Sequence, residues 1–298
     1  MTSQPPAARI APRISFEFFP PKTPRASMAL WESVQRLAPL APRFVSVTYG
    51  AGGTTRDRTM SAILAIRDCA RLNVAGHLTC VGATRAEVLK VASNYAMLGC
   101  HRIVALRGDP PTGQSRFEPH PDGFAGAAEL VAALSDLGQF DIWVAAYPDG
   151  HPEASSPQAD IDQLKRKLDA GATGAITQLF FENDTFYRFR DSCAAAGITA
   201  PIVPGILPIE DFEKTVRFAD SCGATVPKWM FKAFGNADDD ASHDLLSIAI
   251  ATEQCDELMS NGVNDLHFYT LNKSELVFQV CRALGIEPQP AQLAAGCG

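Results

Sequence analysis

Residues 13–22 read RISFEFFPPK, and this stretch decides how the chain begins to fold. Its alternating pattern predicts a β-strand with Phe16 and Phe18 on one face and Glu17 on the other. The double proline at 20–21 has no N–H donors to offer a sheet, so the strand ends there. Glu17 therefore lies near the C-terminal end of the strand, either as a solvated edge residue or as a group held there for chemistry.

Short β-branched or aromatic segments of the same kind recur along the chain, each followed by an amphipathic stretch whose apolar residues return every three or four positions. The eight segments are RISFEFF (13–19), RFVSVTY (43–49), VAGHLTC (74–80), RIVALRG (102–108), DIWVAAY (141–147), GAITQLF (174–180), PIVPGIL (201–207) and DLHFYTL (265–271). Alternating strands and helices predict a parallel sheet.

Eight such units favour a closed α/β barrel, the (β/α)8 TIM barrel, over an open doubly wound sheet. In an open sheet we would expect a glycine fingerprint after the first strand, whereas this strand runs into proline. One extra helix, at about 239–260, is predicted before the last strand. We expect a single catalytic domain over 13–286, between flexible tails at 1–12 and 287–298.

Composition narrows the range of partners. The net charge is -7 without a basic stripe, which argues against nucleic acid, and no apolar run approaches the ~18 residues of a membrane span. A small-molecule partner is then the default expectation. The eight cysteines include no CxxC pair, and the N-terminus has no signal-peptide pattern, so we expect a cytoplasmic protein.

Active sites of such barrels lie at the C-terminal ends of the strands. Polar residues occur at nearly every one of these ends: Glu17, Thr48, Tyr49, His77, Thr79, Arg107, Gly108, Asp109, Tyr147, His151, Gln178, His267 and Tyr269. Each alone is explained by a solvated loop, but together they predict one shared site.

Glu17 is predicted to point into the mouth of the barrel. Burial beside aromatic walls would raise the pKa of its carboxyl toward neutrality, as a general acid working at pH 7 requires. A structural ion pair with Arg107 is the alternative explanation.

Two loop segments carry further motifs, and the sequence disfavours two other kinds of active site. The segment LRGDPP (106–111) places Asp109 where a carboxylate can accept two N–H bonds from a pterin-like ring edge, or where it only starts a turn. GAGGTT (50–55) is a glycine-rich loop that a ligand could approach closely. Because it lacks the Walker lysine, it is only weak evidence for a ligand-binding loop. The isolated histidines disfavour a metal site, and Gln178 on the sixth strand disfavours a Schiff-base lysine there.

Several blocks resemble the bacterial methylenetetrahydrofolate reductases, in the short form that has only the catalytic barrel. They are SFEFFPPKT, VTYGAGGTTRD, HLTC, ALRGDPP, VAAYPDGHPEA, QADIDQLKRKLDAGATGAITQLFF, VPGILPI and HFYTLNKSE, in register from about residue 13 to residue 285. The resemblance implies an FAD enzyme in which NADH or NADPH and then 5,10-methylenetetrahydrofolate use one flavin face, yielding 5-methyltetrahydrofolate. It also implies a homo-oligomer.

The resemblance implies roles for individual residues. Glu17 matches the general acid that opens the folate ring, and Asp109 the carboxylate that binds the pterin near the flavin. Gln178 and Phe218 match substrate-binding residues, and Thr48 a residue that contacts the nicotinamide. The positions similar to FAD-binding residues are Tyr49, Ala51, His77, Arg107, Gly108, Asp109, Phe124, Ala125, Tyr147, His151, Ala154, Asp160, Gln163, Arg166 and Lys167.

Two lysines depart from the family pattern. Lys273 stands in NKSE where arginine is expected, and a lysine cannot clamp a carboxylate bidentately. Lys214 stands where relatives have glutamine, and would give the folate glutamate tail a second positive charge. Two other functions remain open at this point: a flavin-free, pterin-binding methyltransferase barrel, and a barrel that only binds folate or a partner.

Overall fold

The computed structural model describes residues 11–50, 56–110, 113 and 116–289. Within these ranges eight parallel strands close into a barrel in chain order, with β1 paired to both β2 and β8. The strands are β1 (Arg13–Phe18), β2 (Phe44–Val47), β3 (Val74–Thr79), β4 (Arg102–Leu106), β5 (Asp141–Ala146), β6 (Gly174–Leu179), β7 (Ile202–Ile206) and β8 (Asp265–Tyr269). The predicted (β/α)8 barrel is confirmed.

Helices surround the barrel on its outer side. They are α1 (Pro24–Leu37), α2 (Arg56–Ala70), α3 (Arg85–Met97), α4 (Ala127–Asp136), α5 (Pro157–Asp169), α6 (Asn183–Ala195), α7 (Phe212–Cys222), α8 (Lys228–Gly235), α9 (Asp240–Ser260) and α10 (Glu275–Ala283). The extra helix predicted before the last strand is α9, and the short α8 precedes it. Among the described helices, none combines the length and apolar character that crossing a bilayer requires.

Local sequence explains where the helices begin. Thr84 caps α3 in a reciprocal capping box with Glu87, in which each side chain satisfies the other residue's backbone N–H. Ser156 caps α5 through a bond from the N–H of Ala159, and Pro157 follows at the first helical position. The start of α5 is thereby fixed, which matters because its inner face lines the candidate site.

The two faces of β1 are used as the alternation predicts. Phe16 and Phe18 are fully buried in the large hydrophobic core between the barrel and its helices. Ser15 and Glu17 point into the barrel, where β1 pairs with β2 and β8. The first strand therefore supplies both core packing and a carboxylate inside the mouth.

The barrel interior changes character along its axis. Near the N-terminal ends of the strands it is apolar, with Phe44, Trp143 and Val203 in one packed cluster. Arg13 of β1 closes this end through its ion pair with Asp265 of β8. Toward the C-terminal ends the interior becomes polar. The polar side chains at the barrel mouth therefore lie next to a packed apolar layer.

Gly205 of β7 is a position where we expect a substitution to destabilise the barrel. A Cβ atom there would lie 2.3 Å from the backbone oxygen of Thr177 and 2.6 Å from the ring of Tyr269. Gly205→Ala should lower the free energy of unfolding by about 2–3 kcal/mol, because a backbone oxygen cannot move aside as a side chain can. Gly235→Ala is the control, since nothing lies near the added methyl there. Urea unfolding measures both, and equal midpoints would contradict the expectation.

Candidate active site

Glu17 lies between two imidazoles at the mouth of the barrel. Its Oε2 atom is 3.3 Å from Nε2 of His77 on β3 and 3.8 Å from Nε2 of His267 on β8. The other ring nitrogen of His267, Nδ1, is 2.7 Å from the hydroxyl oxygen of Ser15. The carboxylate is 14% exposed and His267 is completely buried, so the three side chains form one enclosed group.

The expectation that the pKa of Glu17 is raised is wrong for this state of the protein. Burial does raise it, but the neighbouring imidazoles of His77 and His267 outweigh burial and hold the pKa at about 2. The alternative pairing with Arg107 is wrong as well, because Arg107 pairs with Glu153. At neutral pH Glu17 is therefore an ionised carboxylate beside two imidazole rings.

Polar atoms around this carboxylate have unused hydrogen-bonding capacity. Among the described residues, the buried Ser46 Oγ, Thr79 Oγ1, and Nε2 of His77 and His267 meet no hydrogen-bond criterion. All four belong to residues whose side chains alternate into the barrel from β2, β3 and β8. Because buried polar atoms are usually paired, this end of the interior is suited to hold a polar ligand or ordered water.

The predicted folate-binding residues Asp109, Gln178 and Phe218 lie after β4, on β6 and on α7. Asp109 follows β4 and is exposed, and Gln178 on β6 is half-buried. Phe218 on α7 is 39% exposed, which is unusual for phenylalanine and leaves its ring available for stacking. These three residues lie on three different elements, consistent with a site that is assembled across the barrel.

The two lysines assigned to a glutamate tail both have acidic partners. Lys273 Nζ is 3.1 Å from Glu210, and Lys214 Nζ is 2.7 Å from Asp211. Since Glu210 and Asp211 are adjacent, the two lysines border one small region. Both are exposed, and such ion pairs are weak enough to exchange partners with a carboxylate ligand.

A cavity of about 640 Å³ opens beside the mouth, between α4 and α5 and the ends of β4 and β5. Nine of the predicted FAD-binding positions line it: Arg107, Ala125, Tyr147, His151, Ala154, Asp160, Gln163, Arg166 and Lys167. Tyr147 and His151 meet edge to face there, with ring centroids 4.7 Å apart. The cavity therefore offers aromatic surface at the strand ends and cations along α5.

Lys167 is the deepest cation of this cavity. Its Nζ donates to the carbonyl oxygen of Ala145 at 2.5 Å, and the side chain is buried. Burial lowers the pKa of Lys167 to about 8, an effect that the carboxylate of Asp160 only partly opposes. A buried ammonium of this kind gains much from an anionic ligand, because such a ligand replaces lost solvation.

The N-terminus of α4 adds a second anion-binding element. Residues 125–129 line the cavity, and Gly126, the N-cap, makes no side-chain cap bond. The N–H of Ala125 donates to Glu129, and the remaining N–H groups of a helix start, together with the helix dipole, favour phosphate. The cations Arg166 and Lys167 contribute charge from the facing helix, so the cavity fits a dinucleotide pyrophosphate.

The remaining predicted cofactor positions lie outside this cavity lining. Thr48, His77 and Gly108 are near the mouth, and Tyr49 accepts a hydrogen bond from Arg56. Phe124 is fully buried beneath the guanidinium of Arg85, so its side chain is not available to a ligand. Ala51 lies outside the described residues.

Sequence reasoning missed two residues of the cavity. Glu153 forms an ion pair with Arg107, and the guanidinium of Arg107 lies 4.8 Å from the ring centroid of Phe117. Glu153 belongs to the segment VAAYPDGHPEA, but no pattern in the sequence indicates that it pairs with Arg107. Phe117 follows the loop after β4, where no periodic pattern points to a role.

A wider cavity of about 840 Å³ lies elsewhere, between α7, α8 and α9. Five carboxylates line it, and it contains none of the predicted site residues. The cavity of about 640 Å³ is the better candidate because cations and a helix start line it at the C-terminal ends of the strands, where Glu17 also lies.

Comparison with known proteins gives a consistent result. The profile of the family "Methylenetetrahydrofolate reductase" matches residues 4–285. The 5,10-methylenetetrahydrofolate reductase of Escherichia coli (strain K12) is 48% identical over 276 residues, which is 92% of this chain and 91% of that protein. The corresponding enzyme of Pectobacterium carotovorum is 46% identical, covering 94% and 92%.

One solved structure supports the fold. It is described as an uncharacterized protein from Clostridium thermocellum that binds two copies of 5-methyl-5,6,7,8-tetrahydrofolic acid. At 15% identity it aligns with a TM-score of 0.59 over 93% of this chain and 96% of the other. The profile match and the identity over nine-tenths of the chain decide the assignment: this chain belongs to the methylenetetrahydrofolate reductase family of enzymes.

Proposed function

We propose that the protein interconverts 5,10-methylenetetrahydrofolate and 5-methyltetrahydrofolate, with FAD as bound cofactor and NADH or NADPH as the other substrate. The observation that carries the proposal is the cation-lined cavity at the C-terminal ends of β4 and β5, the same end of the barrel at which Glu17 lies between two imidazoles. A family member with this combination can hold a dinucleotide and deliver a proton at the same end of the barrel.

The residues of the cavity fit FAD. Arg166, Lys167 and the uncapped start of α4 would hold the pyrophosphate, while Tyr147 and His151 would border the ring system. When bound, the flavin supplies hydride transfer in two separate half-reactions, first with the nicotinamide and then with the folate. Thr48 would contact the nicotinamide.

The protein's own contribution to the folate step is a proton. Opening the five-membered ring of the substrate to a reactive iminium requires protonation of a ring nitrogen. Since the carboxylate of Glu17 is ionised at neutral pH without a ligand, we infer that Glu17 delivers this proton together with the adjacent imidazoles of His77 and His267. A ligand that covers the mouth removes water from the carboxylate, which strengthens the effect of burial and favours its protonated form.

Substrate positioning would come from the rim. Asp109 would accept hydrogen bonds from the pterin edge, Gln178 would bond the folate or the nicotinamide, and Phe218 would stack over the bound ring. The negative charge of Asp109 would also stabilise the cationic intermediate. Lys214 and Lys273 would have to leave Asp211 and Glu210 to bind a glutamate tail, so we expect that contact to be weak and sensitive to salt.

An absorption spectrum of the purified protein tests this function. We expect a yellow protein whose flavin bands are bleached anaerobically by NADH or NADPH and restored by 5,10-methylenetetrahydrofolate. A colourless protein that binds no added FAD and transfers a methyl group instead would support the methyltransferase alternative. Flavin that neither nicotinamide bleaches would contradict the proposal.

Location and assembly are also proposals. A cytoplasmic location is proposed from the sequence alone, which has no CxxC pair, and a homo-oligomer from the family resemblance. Trp229 and Phe231 on α8 are 48% and 49% exposed, and large exposed aromatic side chains often belong to protein interfaces. Sedimentation of the purified protein measures the assembly directly.

A further inference from the structure

Arg107 is held from three sides in the flavin cavity. Its Nη1 atom is 2.5 Å from Oε2 of Glu153, its Nε donates to the carbonyl of Gly108 at 3.3 Å, and its guanidinium lies over the ring of Phe117. The side chains of Arg107 and Glu153 are only 25% and 33% exposed. An arginine has five N–H donors. The bonds to Glu153 and Gly108 use two of them, so three remain available to a ligand.

Glu153 is itself fixed by the loop that carries it. Its backbone N–H donates to Nδ1 of His151 at 3.0 Å, and the N–H of His151 donates to Asp160 on α5 at 2.9 Å. The carboxylate is thus tied through a short turn to the helix that provides Arg166 and Lys167. Hydrogen bonding to Arg107 also lowers the pKa of Glu153, so it is negatively charged at neutral pH.

A carboxylate in a cavity built for a dianion needs an explanation, because its charge opposes the ligand. Charge attraction is already available from Arg166, Lys167 and the start of α4. What the ion pair adds is geometry: a free arginine side chain loses considerable rotamer entropy when a ligand orders it, and a prearranged one does not.

We propose that Glu153 is a positioning residue, which holds the guanidinium of Arg107 against Phe117 so that its remaining N–H donors are ready to bind FAD. The inference rests on the proposed flavin function. It assigns Glu153 no direct role in hydride or proton transfer.

The chain contains a matched control for this arrangement. Arg36 on α1 pairs with Glu275 on α10, and its guanidinium lies 4.6 Å from the ring centroid of Phe278. The same three residue types meet in the same way, outside the residues that line the flavin cavity. Variants of Glu275 therefore report what losing such a pair does to the protein in general.

Dissociation constants for FAD, measured by quenching of flavin fluorescence with flavin-depleted protein, test the inference. Glu153→Ala should weaken FAD binding about tenfold, and Glu153→Gln, which keeps an acceptor for Arg107, should lose about threefold or less. Glu275→Ala should bind FAD as the wild type does. In an Arg107→Ala background, Glu153→Ala should have no further effect, because Glu153 acts only through Arg107.

Five results would overturn the inference. Tighter FAD binding by Glu153→Ala would mean that the carboxylate only repels the ligand. Undiminished weakening in the Arg107→Ala background, or equal weakening by Glu275→Ala, would indicate a general structural effect. If the wild-type protein itself bound no FAD, both the flavin function and this inference would be wrong, whereas wild-type binding with unaffected variants would overturn the inference alone.

Discussion

Glu17→Gln should slow reduction of 5,10-methylenetetrahydrofolate about a thousandfold while leaving flavin reduction by the nicotinamide nearly unchanged, as expected for loss of a general acid. Glutamine keeps the size and hydrogen-bonding capacity of the side chain but cannot transfer the proton. Only the folate half-reaction needs that proton. Anaerobic stopped-flow measurement of each half-reaction separates the two rates.

The control for this variant is Glu182→Gln, which removes another carboxylate that follows a strand at the same end of the barrel. Glu182 is outside the group formed by Glu17, His77 and His267, so both of its half-reactions should keep wild-type rates. If Glu17→Gln slowed both half-reactions equally, the acid role would be wrong and Glu17 would instead support cofactor binding. If it slowed neither, one of the histidines would be delivering the proton without it.

Lys167→Met should weaken FAD binding about a hundredfold, because a charge-assisted bond from a buried ammonium to phosphate is lost. Methionine has a similar length and fills the same space without a charge. Lys165→Met is the matched control: it lies on the same helix but is exposed and pairs with Asp169. Titration with FAD measures both, and equal losses for the two variants would contradict a specific role for Lys167.

The pH dependence of Lys167 gives this prediction a second measurement. With a pKa of about 8 in the folded protein, Lys167 loses its proton above that pH, so FAD affinity of the wild type should fall there and that of Lys167→Met should not. Stability should move in the opposite direction. Between pH 8 and 10.5 the unfolded chain binds more protons than the folded one, so the FAD-free wild type should gain stability relative to the variant as pH rises.

Most of the architecture could be predicted from local sequence. The double proline after Glu17 ends β1, the alternation in RISFEFF assigns its two faces, and the eightfold repeat of strand and helix specifies the closed barrel. Strand ends differ from prediction by at most two residues. The short helix α8 was missed, because its eight residues give too little periodicity to recognise.

The electrostatics of the site could not be predicted in the same way. His77 and His267 reach Glu17 from β3 and β8, and their distance from the carboxylate depends on strand register and barrel closure. Without that geometry, aromatic neighbours in sequence suggested burial alone and a raised pKa. Similarly, the partner of Arg107 is decided by the conformation of the loop after β5, which brings Glu153 across the cavity.

The buried hydroxyls of Ser46 and Thr79, which have no hydrogen-bond partner among the described residues, have one further consequence for the molecule. Buried polar groups without a hydrogen-bond partner lower the thermal stability of a protein. A folate or nicotinamide ring that formed hydrogen bonds with them would restore that stability. We therefore expect the melting temperature to respond to molecules that enter the barrel mouth, even when no reaction follows. The C-terminal end of this barrel would then be its least stable part without a ligand and among its most stable parts with a ligand bound.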